Sequence, residues 1–223
     1  MRNLPLALLM TVAACGGSLK YSIDDNVLAS VPAQQREPLN GARNDAMRAE
    51  DNLRETQRTE QNAKNELAIA ENAYKSAKLS KETAKVNRQG AEQSGDFNRK
   101  NQASIEFAIA DKATDEADAK VDWLSKKKKW ATTMREAAEY QVAGNKSQIE
   151  LQKARICAQN NIRPSEKFNV LEFEQQSLEK QQKYNDKRRD ADELKVKVDD
   201  LERKWQNKKQ TTDTARSSAP RPQ

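Results

Sequence analysis

A seven-residue repeat that begins at Leu39 and is kept through Ala91 decides what this chain can become. Steps of seven from Leu39 land on Ala46, Leu53, Glu60, Leu67, Tyr74, Lys81 and Arg88. The set three residues further on is Ala42, Ala49, Thr56, Ala63, Ala70, Ala77, Ala84 and Ala91. Spacing of this kind keeps one stripe of an α-helix turned toward a neighbour, which is the pattern of a coiled coil. Alanine fills almost every position of the second set, so a neighbouring helix can approach to about 8 Å, the close end of the usual separation. High helix propensity accounts for many alanines, but not for their phase.

Composition points the same way. Of 223 residues, 33% are charged, 35% hydrophobic and 5% aromatic, and the mean hydropathy is -1.06. That much polar surface cannot be enclosed in a globule of this length, whereas long helices need only a narrow apolar stripe. A second periodic segment starts at Ala103 and continues through Ala110, Ala117, Val121, Leu124, Ala131, Ala138 and Val142 to Ile149 and Ile156. Its phase slips once or twice, as stutters do. Gly90, Ser94, Gly95 and Asp96 separate it from the first segment and supply a helix break and an N-cap. Ala158–Ser165, with Asn160, Asn161 and Pro164, is read as a loop; Pro164 or Ser165 opens a third helix. That helix carries Phe168, Leu171 and Leu178, then Ala191, Leu194, Val198, Leu201 and Trp205.

The expected fold is therefore all-α: an elongated antiparallel coiled coil of about three long helices over residues 38–209. Residues 15–37, with Pro32 and Pro38, are expected to form a tether with little regular structure. Residues 210–223, polar and proline-bearing, are expected to be a disordered tail.

The start of the chain reads as an export signal. Met1-Arg2 is basic, Leu4 to Ala13 is apolar but too short to span a bilayer, and small residues lead to Cys15. The run Val12-Ala13-Ala14-Cys15 resembles the lipobox of bacterial lipoproteins. That resemblance implies a signal peptide at residues 1–14, cleavage before Cys15, and acyl chains on its sulfur and new amino terminus. By the same resemblance, Gly16 favours the outer membrane facing the periplasm. Murein lipoprotein is similar in being acylated and coiled-coil, but this chain is longer, turns back on itself and ends Arg-Pro-Gln rather than in lysine, so attachment to the cell wall is not implied. Loss of Arg2 with the leader leaves 39 basic against 34 acidic residues, a mild excess spread along the chain.

Little in the sequence speaks for catalysis. There is no histidine, the commonest general base and metal ligand. Neither a phosphate-binding glycine loop nor a GxSxG turn occurs, and the two cysteines, Cys15 and Cys157, cannot build a metal site. Paired carboxylates such as Asp24-Asp25 and Asp199-Asp200 are read as solvated charges on an exposed helix or tether. The expectation is a non-enzyme with no cofactor and no metal. Its partners would be the membrane through the lipid, a second copy, or an envelope protein with long helices. Nucleic acid is not expected, because the basic run is flanked by acids and the chain is exported.

Two features carry competing readings. Cys157 is either a small buried apolar residue beside Ile156 or the half of a disulfide joining two copies. In Trp123-Leu124-Ser125-Lys126-Lys127-Lys128-Lys129-Trp130, the tryptophans are seven apart beside Leu124 and Ala131. They either thicken an alanine-thin core or anchor a partner, with Lys126, Lys127, Lys128 and Lys129 adding cationic reach. The function expected is a lipid-anchored scaffold of the bacterial envelope, or an adaptor subunit of a secretion, efflux or motility complex.

Overall fold

Three long helices account for most of the chain. The computed structural model describes residues 19–219, and the chain is all-α, with no strand among the described residues. Helix α1 spans Glu37–Gln93, α2 spans Phe97–Gln159 and α3 spans Val170–Ser217. Along α1, each seam position from Leu39 to Ala91 is buried or half-buried, and apart from Glu50 and Thr59 every other residue between them is exposed.

Each break has a local cause. At the end of α1, Gly95 takes a left-handed φ of 71°, and the Asp96 carboxylate then accepts hydrogen bonds from the backbone N–H groups of Asn98 (2.9 Å) and Arg99 (3.1 Å) to cap α2. Gly90 lies inside α1 rather than in the break. At the end of α2, Asn161 is the residue with a left-handed φ (55°), the Ile162 N–H donates to the Cys157 carbonyl at 2.9 Å, and the Asn161 N–H donates to that of Ala158 at 3.3 Å. This is a Schellman closure, with Ile162 folded back onto Cys157. Neither Pro164 nor Ser165 opens α3. The chain crosses several irregular residues first, and the Asn169 side chain caps α3 by accepting from the Leu171 N–H.

Other expectations are corrected by burial. Leu171 and Leu178 face solvent, whereas Phe173, Gln176 and Ser177 are buried. The seam of α3 steps by seven through Val170, Ser177, Tyr184, Ala191, Val198, Trp205 and Thr212, all buried or half-buried. Its middle agrees with the apolar set read from the sequence, Ala191, Val198 and Trp205, while polar residues at Ser177 and Thr212 hide its two ends from a search for apolar side chains. Thr212 also explains why the helix runs past Lys209 to Ser217: it is fully buried, and its hydroxyl lies 3.2 Å from the Lys112 carbonyl of α2. The expected tether is not loose either. Two 3-10 turns, Asp25–Leu28 and Ala33–Arg36, precede α1, and Ile23, Leu28 and Val31 are buried.

The chain divides into two compact units. One comprises the described part of Met1–Leu53 together with Ala137–Asn185. Its core joins Ile23, Leu28, Val31 and Leu39 to Leu151, Ile156, Cys157 and Phe173. Here α1 and α2 run antiparallel, with the Asn145 side chain donating to the Asp45 carbonyl and Asn52 donating to Gln141 at 2.7 Å. The other unit comprises Arg54–Glu136 with Asp186–Gln223. Its apolar cluster is small: Leu67, Ala70 and Leu124, with Val121 and Trp123 against them. Polar ties supplement it. Glu60, buried in the seam, accepts from Thr132 (2.9 Å), Arg135 (2.8 Å) and Lys64 (3.0 Å), and Thr114 reaches the Ala77 carbonyl at 3.2 Å. Burial opposes ionisation of Glu60, but the hydrogen bonds from Lys64 and Thr132 and the Arg135 charge outweigh it and hold the carboxyl below its ordinary value.

Candidate functional site: a docked amino-terminal strap and a tryptophan-lysine face

In the first unit the chain from Lys20 to Asp25 is held by side chains of α2 and α3. An extended backbone on a helical surface has no ladder partners, so its N–H and C=O groups must be met otherwise. Gln176 uses both ends of its amide: its oxygen accepts from the N–H groups of Lys20 (2.7 Å) and Tyr21 (3.0 Å), and its nitrogen donates to the Tyr21 carbonyl at 3.0 Å. The Ile23 N–H donates to Glu150 at 2.6 Å, and Lys153 donates to the Ile23 carbonyl at 2.9 Å. Lys153 also reaches Glu150 at 2.9 Å and Asp25 at 2.7 Å, so all three donors of its ammonium group are engaged. Apolar contacts complete the dock: the Tyr21 ring lies against Phe173, their centroids 5.7 Å apart.

The charges of this dock sustain one another. Burial alone would lower the Lys153 value, but hydrogen bonds to Asp25 and Glu150 raise it above normal. Asp25 is thus not the solvated charge expected of it but an ion-pair partner: the hydrogen bond from Lys153 holds its carboxyl below the usual range, with Arg43 adding to the effect at 2.9 Å. The segment missed in the sequence was signalled by Ile23, Val27, Leu28, Ala29 and Val31, five apolar residues in nine positions before the first helix.

Cys15 lies outside the described residues. Cys157 is a free thiol with no exposed surface, packed in the core beneath the strap, and burial pushes its thiol up. A disulfide to a second copy would require this core to open, so the geometry favours the packing role over the clasp.

The second unit holds all three tryptophans. Trp123 stacks on Trp205 of α3 with ring centroids 4.8 Å apart and planes 8° from parallel, and both indole nitrogens are buried without a hydrogen-bond partner. Lys127 stands over Trp123, while Lys120 and Lys209 stand over Trp205. Trp130 does not join this stack; it is half-buried beneath Lys195. The four lysines separate as the helical turn demands. Lys127 pairs with Glu66 of α1 at 2.6 Å, and Lys126, Lys128 and Lys129 line an open groove of 610 Å³ with Leu67, Thr132 and Leu201. Trp205 is legible in the sequence as an apolar position of the third helix, but its stacking on Trp123 is not, because a pairing across helices leaves no mark in local spacing.

Among the described residues no group of acidic, cysteine or histidine side chains is placed to hold a metal ion, and no helix is long and apolar enough to cross a membrane. No family model, curated protein or solved structure matches this chain.

Proposed function

We propose that this chain is a lipid-anchored coiled-coil scaffold of the bacterial cell envelope, attached through Cys15. The observation that carries the reading is the lipobox-like run Val12-Ala13-Ala14-Cys15 followed at once by a docked strap. Only residues 16–19 separate Cys15 from Lys20, where the backbone is first held by Gln176. The five steps from Cys15 to Lys20 span at most about 18 Å. A lipid on Cys15 would thus hold the first unit close to the bilayer surface instead of letting it roam on a long leash. Cargo binding or catalysis does not require such a short link, whereas a structural element that must keep a fixed height above a membrane does. The long charged helices suit the same role.

Changing Cys15 to Ser tests this. A single acyl chain binds membranes only marginally and two or more anchor stably, so the wild type is expected in the membrane fraction and the variant in the soluble fraction. Mass spectrometry of the mature wild-type terminus should show an acylated Cys15. An unmodified Cys15, or a retained Met1, would refute the reading.

A further inference from the structure

Helix α1 has a second face. With the buried seam taken as positions a and d of the heptad, c and f point away from it. In the first turns these outward positions carry Arg48, Asp51, Glu55 and Arg58, as expected for a solvated face. From Asn62 to Gln93 no charged residue occurs at any of them, in a chain that is 33% charged. Ile69, Leu79 and Val86 fall on this stretch and are 69%, 71% and 63% exposed. Single exposed apolar residues are ordinary, but an uncharged stripe at heptad spacing is what a helix presents to another helix.

We propose that this outer face of α1 binds a second copy of the chain, helix against helix and antiparallel. The sequence of the stripe is matched to itself about a two-fold axis between Ala77 and Lys78. That axis sets Ile69 opposite Val86, Ser76 opposite Leu79, and Asn72 opposite Thr83, each pair joining one c and one f position as antiparallel layers require. Large side chains meet large or small ones, and no layer contains a charge. The flanks agree. Lys75 faces Glu82 of the second copy, and symmetry makes this contact twice. Ala73 faces Ser80, and neither holds the helices apart. In-register parallel pairing would stack Asn72 on Asn72 and leave Lys75 beside Ser80, with no opposite charge to meet. Within its own chain Glu82 makes a long, exposed contact with Lys85, at 3.8 Å, and lies near the Lys81 charge, and it stays exposed to a partner.

Mixing light and heavy isotope-labelled full-length chains, then treating them with a zero-length carbodiimide, tests both the surface and the register. The expected product is a light-heavy peptide joining Lys75 to Glu82. Leu79→Glu should abolish it while leaving the helical circular dichroism unchanged, since the side chain is exposed in the single chain. Lys75→Glu should weaken association by more than about fivefold, since it removes two exposed ion pairs and sets glutamate against glutamate in their place, and Lys75→Glu with Glu82→Lys should restore it. Absence of light-heavy links along α1, links that survive Leu79→Glu, or links between identical positions only would each overturn the proposal.

Discussion

Lys153 shows how much one side chain can organise. Its ammonium joins the Ile23 carbonyl, Glu150 and Asp25, and so ties the strap to α2. Lys153→Met keeps the length of the stem but strands Glu150 without its cation in a buried setting. A loss of about 3 kcal/mol is expected in denaturant unfolding, because removing one partner of a buried pair leaves the other uncompensated. The pH dependence follows from the direction of each shift. Asp25 is depressed below 3.8 by its bond from Lys153, so its contribution is present above 3.8 and is lost as pH falls through the depressed value. Lys153 is raised above 10.5, so its contribution is whole below 10.5 and is lost only as pH climbs through the raised value. Melting temperature should therefore hold level from about pH 5 to about pH 9 and drop in acid. Asp25→Asn should lower the plateau and shallow the acid drop, a comparison that thermal melts followed by circular dichroism can make.

The helices differ in how openly their burial is written. The seam of α1 is legible to the residue, because alanine and leucine hold most of it and the seven-residue step never slips across Thr56, Glu60, Tyr74, Lys81 and Arg88. In α3 the same step is kept, but Ser177, Tyr184 and Thr212 occupy it, and Leu171 and Leu178 point to solvent as decoys. Apolar identity reports burial only where packing, not hydrogen bonding, fills the seam. The contrast can be measured: Phe173→Ala should cost about 3 to 5 kcal/mol through lost burial and a cavity, while Leu178→Asp should stay within about 0.5 kcal/mol. At the end of α2, Asn161→Ala should cost about 1 kcal/mol, since alanine resists the left-handed φ of 55° and asparagine tolerates it. Asn161→Gly should be close to neutral, and equilibrium unfolding of both variants checks the sign. The strap escaped the sequence reading for a related reason. Its few apolar residues sit between prolines and acids, and what fixes it is the meeting of its backbone with Gln176, Glu150 and Lys153, residues more than a hundred positions away.

For the molecule as a whole, the probes fall on separate units. Trp123, Trp130 and Trp205 all belong to the unit of Arg54–Glu136 and Asp186–Gln223, and the strap belongs to the other. Gln176→Ala should therefore speed tryptic cleavage after Lys20, scored by mass spectrometry, before it moves the tryptophan fluorescence transition. Loss of the Trp signal in step with cleavage would show that the strap governs both units. The alanine seam has a further consequence. Alanine looks the same one heptad up or down, so a slide of α2 along α1 by about 10 Å would exchange like for like at most steps of Ala63, Ala70, Ala77 and Ala84. The shape of the alanine set alone does not single out one alignment. Glu60, reaching Thr132 and Arg135, and Thr114, reaching the Ala77 carbonyl, occur once each along this stretch and act as index marks. Erasing them would leave the helices intact and free to lock at the wrong notch, an error of alignment rather than of folding.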